Sequence, residues 1–89
     1  MSDEISSIRP DQCRAARALL GWSRGDLAKK SKVSNATLAD FEAGKRTPYG
    51  RTLADVRKAF EAAGIQFIAE NGGGVGLRFR NRTEAQGEV

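Results

Sequence analysis

"SRGDLAKKSKVSNATLADFEAGKRTP", from Ser23 to Pro48, is the stretch that decides how this chain folds. It holds two short helical patterns joined by "SKV". Ser23 opens the first in the S-x-x-D form of a capping box, with Asp26 in the place usually taken by Glu or Gln. Leu27 and Ala28 turn inward, and the pattern ends near Ser31. Ser34 caps the second, which runs to about Ala43 and stops at Gly44. Ala28 is small enough for the two helices to cross closely. Val33, Leu38 and Phe41 supply the apolar side of the angle. At about 100° per residue, Asn35, Ala36, Ala39 and Asp40 then project from the opposite face, with Thr37 at its rim. Gly25 has two readings of equal weight: a weak helix former, or a site where another backbone approaches closely.

Outward from this unit the chain reads as mainly α. Residues 1–8 are a polar, flexible N-terminal arm. Pro10 and Asp11 suit a helix start, and Cys13, Ala16, Arg17 and Leu20, with Leu19 beside them, make one face of a helix over roughly 10–20. Gly21 ends it. After the loop "KRTPYGR" (45–51), Leu53, Val56, Phe60 and Ala63 line a fourth helix from about Thr52 to Ala63, closed by Gly64. The period then changes to two. "IQFIAE" (65–70) and "VGLRFR" (75–80) flank "NGGG", which reads as a β-hairpin. The expected layout is a four-helix domain over 9–64, a C-terminal hairpin over 65–80 and a flexible tail over 81–89.

Composition narrows the function. The 89 residues suit one small domain, and the single cysteine excludes an internal disulfide. Cys13 reads as a small buried hydrophobe. With no histidine and one cysteine, no metal cluster is expected, and no nucleophile stands beside a base. An enzyme and a cofactor are therefore not expected. "NGGGVG" lies between two strands and opens no helix, so it is a turn and not a phosphate loop. No apolar run approaches a membrane span, and the expected location is cytoplasmic. The net charge is +4, and between Ser23 and Arg51 seven basic residues face three acidic ones, so the whole excess sits in that third of the chain. Such a patch points to a polyanion partner. Lys29, Lys30, Arg57 and Lys58 read as solvated, and Trp22 and Tyr49 as packing residues.

"LLGWSRGDLAKKSKVSNATLADFEAGKRTP" is similar to the helix-turn-helix segment of the lambda-repressor-like proteins, the Cro/CI or XRE family. L-G-W-S before the first motif helix, D-L-A within it, V-S before the second and F-E-x-G-K-R-x-P after it occur in order, and the resemblance covers about residues 10–63. It implies a transcription regulator that binds a roughly palindromic double-stranded operator as a homodimer, with helix 35–43 in the major groove. Asn35, Ala36 and Asp40 match base-facing positions. Arg24, Ser34, Thr37, Lys45, Arg46 and Arg51 are the expected backbone contacts. Arg17 and Glu42 match a structural charged pair, which accounts for an arginine on an inner face. Asn35 is suited to bond adenine N6 and N7, Ala36 to touch a thymine methyl, and Asp40 to accept from cytosine N4.

The chain departs from the family in three places. Lys32 stands where a left-handed glycine is usual, so that turn is expected to deviate slightly. Arg24 replaces a common glutamine, and Gly25 a polar helix former. The hairpin also replaces the usual fifth helix. Its apolar residues Ile65, Phe67, Val75, Leu77 and Phe79 either cover the monomer's core or form a dimer interface, and dimerisation is the favoured reading. Arg78, Arg80 and Arg82 line its other face. The alternative function is an antitoxin or adaptor that docks a protein partner on the hairpin and binds DNA secondarily.

Overall fold

A computed structural model describes residues 8–82, so most of the expected arm and tail lies outside the described residues. Four helices, α1 (Pro10–Leu20), α2 (Arg24–Ser31), α3 (Asn35–Glu42) and α4 (Gly50–Ala62), precede a hairpin of β1 (Ile65–Ile68) and β2 (Gly76–Phe79). Local chemistry explains the helix limits. Pro10 opens α1, and Gly21 closes it with φ 70°, donating to Ala18 O while Trp22 N donates to Arg17 O. Ser23 and Asp26 form the reciprocal box of α2: each side chain accepts from the other's backbone N–H, at 3.0 and 2.9 Å. Ser34 Oγ caps α3 by accepting from Thr37 N at 3.1 Å. The fourth helix starts at Gly50, two residues before the expected Thr52, because the chain turns helical directly after Pro48 and Tyr49.

The core draws on all four helices and on β1. Cys13 and Ala16 of α1, Leu27 of α2, Leu38 and Phe41 of α3, Leu53, Val56 and Phe60 of α4, and Ile65 of β1 are buried together, with Val33 from the motif turn. Trp22 lies nearly parallel to Phe60, centroids 5.7 Å apart, and Phe67 meets Phe60 edge-on at 6.0 Å. Ile8, placed by the sequence in the arm, is buried in this core at 4% exposure. A polar segment with so few apolar residues has no periodicity to reveal its role. Tyr49, expected to pack, is 86% exposed.

The strands pair antiparallel with Ile65 opposite Phe79, Gln66 opposite Arg78, Phe67 opposite Leu77 and Ile68 opposite Gly76. Pairing stops short of the expected 65–70 and 75–80, and Val75 lies outside β2. The glycine run 72–74 brings no side chains to pack and is entropically expensive to extend. β1 lies against α4 and β2 against α1. Gln12 fastens the second contact: its Nε2 donates to Gly76 O at 2.9 Å while its Oε1 accepts from Arg9 N at 3.0 Å. Arg80 N continues the pairing by donating to Gly64 O. The hairpin therefore covers the helical core of its own chain. Ile65 is fully buried there and has no surface left to give a dimer interface; Phe67, Leu77 and Phe79 are only partly covered.

Candidate nucleic-acid interface

Two anchors and one turn set the position of α3. Leu38 and Phe41 are buried at 1% and 3% exposure, so the helix can rotate in only one way against the core. Asn35 and Ala36 are thereby exposed, while Thr37, Ala39 and Asp40 are half-buried. The turn before it runs through Lys32, whose φ of 62° and ψ of 30° are left-handed. The expected deviation is absent: lysine adopts the conformation that glycine would favour. Lys32 N is bonded to Ala28 O at 2.8 Å, and Ser31 Oγ accepts from Val33 N at 3.3 Å while donating to Leu27 O. These bonds hold the turn against a strain of about 1 kcal/mol.

Glu42 locks the far end of α3. Its carboxylate is buried and accepts from Arg17 Nε and Nη2, both at 2.8 Å, in a two-pronged pair. Cys13 Sγ donates to the same carboxylate at 3.2 Å, and Arg14 Nη1 donates to the Glu42 carbonyl. Burial works to raise the Glu42 pKa, but the bonds from Arg17 and Cys13, with the charges of Arg17 and Arg24, outweigh it and hold the carboxyl below its ordinary value. Burial, then the bond to Glu42, pushes the Cys13 thiol far above its usual range. Cys13 is thus a buried hydrophobe that also hydrogen-bonds. Neither its bond nor those of Arg14 and Gln12 has a sequence signature, because partners 28 to 64 residues away leave no local pattern.

The polar residues around α3 divide into engaged and open ones. Ser34 Oγ donates to Thr37 Oγ1 at 2.9 Å, so the Thr37 hydroxyl proton remains available to an outside acceptor. Arg24, on the first turn of α2, donates from Nε to Asn35 Oδ1 at 3.1 Å, and its Nη1 lies 3.9 Å from Glu42 Oε1. Asp40 lies 4.0 Å from Arg46 Nη1, an exposed pair of little energetic weight. Lys45, Arg46 and Arg51 are exposed past the end of α3, and Lys45 and Arg51 have no ion-pair partner among the described residues. Gly44, at φ 76°, turns the chain there, and Lys45 N donates to Asp40 O. Gly25 is not a backbone crossing. A Cβ there would meet Ser23 Oγ at 3.6 Å and Asn35 Nδ2 at 4.0 Å, ordinary contacts with side chains.

The structure thus groups Asn35 and Ala36 with Arg24, Ser34 and Thr37 at the start of α3, and Asp40 with Lys45 and Arg46 toward its end. Arg78, Arg80 and Arg82 stand elsewhere, around an open groove of about 480 Å³ that also contains Leu19, Leu77 and Phe79. Among the described residues no group of acidic, cysteine or histidine side chains could hold a metal ion, and no helix is long and apolar enough to cross a membrane.

No curated protein matches the chain. A family model described as Helix-turn-helix matches residues 14–63, which take in most of α1, the whole α2-turn-α3 unit and α4. That match spans more than half of the sequence, and the chain belongs to the XRE (lambda-repressor-like) helix-turn-helix family of DNA-binding regulators.

Proposed function

We propose that the protein is a sequence-specific transcription regulator that binds a roughly palindromic operator as a homodimer. In this reading α3 enters the major groove. The observation that carries it is the two-sided fixing of α3. Leu38, Phe41 and Glu42 hold one side to the core, which leaves Asn35 and Ala36 outward at the start of the helix, with exposed Lys45, Arg46 and Arg51 past its end. Arg24, Ser34, Thr37, Lys45, Arg46 and Arg51 contact phosphates and set the register. Asn35, Ala36 and Asp40 face base edges. Ala36 can offer only a methyl contact, and Asp40 is already close to Arg46. Base reading is therefore sparse, and half-site spacing and DNA shape carry much of the specificity.

The groove between Leu19 and β2 supports the dimer. Leu19 is 45% exposed, and Leu77 and Phe79 beside it are only partly covered. Phe67, Val75, Leu77 and Phe79 with Leu19 would form the contact, without Ile65. The two copies would place their α3 helices about 34 Å apart, one turn of the duplex.

Protection mapping of the DNA upstream of the protein's own gene tests this function. Two protected half-sites about 10 base pairs apart, centre to centre, are expected. A single uninterrupted footprint that slides with sequence would argue for nonspecific binding instead.

A further inference from the structure

The outer edge of β2 is open. Arg80 N donates to Gly64 O at 2.8 Å, and along an antiparallel pair the residues that bond across alternate with those that do not. Arg78 and Gly76 therefore bond toward β1, while Leu77 and Phe79 turn their N–H and C=O away from it. Among the described residues no hydrogen bond holds those outward groups. Val75, just before the strand, is in phase with them. The groove with Leu19 runs beside this edge, and Leu77 and Phe79 are only partly covered there. An unpaired edge is a template for another strand. Gly76 points the same way, because its own chain gives no reason for a glycine. It is not one of the glycines with positive φ, and a Cβ there would meet nothing within 4 Å. A glycine inside a strand often marks the approach of another backbone.

We infer that β2 pairs edge to edge with β2 of a second copy, antiparallel and centred on Leu77, so that the two hairpins form one four-stranded sheet. This rests on the homodimer proposed above and names how its copies meet. The sequence "VGLRF" (75–79) is self-complementary in that register. Leu77 meets the partner's Leu77, and Val75 meets the partner's Phe79, on the inner face beside Leu19. Arg78 lies across the partner's Gly76, where no side chain opposes it, and is drawn toward its own β1 by Gln66 Oε1, 3.0 Å from its Nε. Charge selects this register. With the axis at Arg78, the two copies of that arginine would stand opposite each other. With the axis at Phe79, Arg78 would face the partner's Arg80. Like charges directly opposite destabilise a sheet. With the axis at Gly76, Phe79 would run past Val75 into the glycine turn and lose its apolar partner. A slip by one residue would set inner side chains against outer ones.

Disulfide crosslinking of the full chain tests the register. Gly76 and Arg78 are half-buried and exposed, so Gly76→Cys and Arg78→Cys should both fold, which thermal melting checks. The native Cys13 is fully buried and does not compete. Opposed residues of this kind of pair lie about 4.5 Å apart at Cα, within reach of a disulfide. The two variants, mixed and exchanged under reductant and then oxidised with and without DNA, should give a linked dimer. Either variant alone should give only traces. A linked dimer from one variant alone moves the axis to that residue and overturns the inference. Hydrogen exchange on the wild type needs no substitution: the Leu77 and Phe79 amides should exchange about tenfold or more slowly in the dimer than in the monomer. Unchanged exchange at both amides, or no crosslink in any sample, with the wild type a dimer in light scattering, overturns edge pairing and leaves the homodimer in place. A wild type that is monomeric with and without DNA overturns the proposed homodimer and the inference with it.

Discussion

Glu42 is the residue on which the placement of α3 depends most. Its carboxylate is buried at 5% residue exposure and holds Arg17, Cys13 and the outer Arg24 at once. Glu42→Gln removes the charge that Arg17 requires and should cost about 3 kcal/mol, seen as a fall of about 10 °C or more in the thermal midpoint. The pH dependence follows from the lowered carboxyl pKa. The contribution of Glu42 is fully present above its unfolded value near 4.5 and is lost as pH falls through the lower folded value. Melting curves across the acid range should show this loss in the wild type and not in Glu42→Gln. Lys32 is the opposite case, a residue that strains its own turn. Lys32→Gly should raise stability slightly, by up to about 0.5 kcal/mol, because relief of the left-handed strain is largely offset by the added chain entropy. At this scale the sequence was partly legible. Ala36 and Leu38 could be assigned to opposite faces by helical geometry. The Arg17 pair came only from the family resemblance. Ile8, Gln12 and Tyr49 were misread or missed, since each depends on a long-range contact or on the lack of one.

Among the elements, α2 and the hairpin show how local rules and tertiary packing divide the work. The α2 limits could be read from Ser23 and Asp26 because a capping box is a local device. Gly25 is a weakness in that helix with no packing reason for it, as nearby atoms leave normal room for a methyl group. Gly25→Ala should therefore stabilise the fold by up to about 0.8 kcal/mol in a chemical denaturation curve. The alternating pattern revealed the hairpin, but its alternation runs into residues that do not pair. Strand ends depend on which backbone groups find partners, and the glycine run leaves that choice to the body of the domain. Gln12 bonding to Gly76 and Arg80 bonding to Gly64 show the helical core setting where the strands begin and end.

For the whole molecule, two groups of exposed basic residues stand apart. One surrounds the exposed start of α3 and the loop past its end, and the other rims the groove beside Leu19 and β2. The proposed dimer uses the second, so a charge placed in that groove should separate association from folding. Leu19→Arg should turn the dimer into a monomer in light scattering while the thermal midpoint of the subunit changes little, because Leu19 is already half exposed. The first surface carries the central claim, that one end of a fixed helix reads bases while the basic loop holds the backbone. The most direct test compares the affinities of the wild type, Asn35→Ala and Lys45→Ala for a selected duplex and for a scrambled one. Lys45→Ala should weaken both duplexes by the same factor and leave their ratio unchanged. Asn35→Ala should weaken only the selected duplex, so that the ratio falls toward one. If the two substitutions instead lower the ratio equally, the division of labour between α3 and its basic loop is wrong.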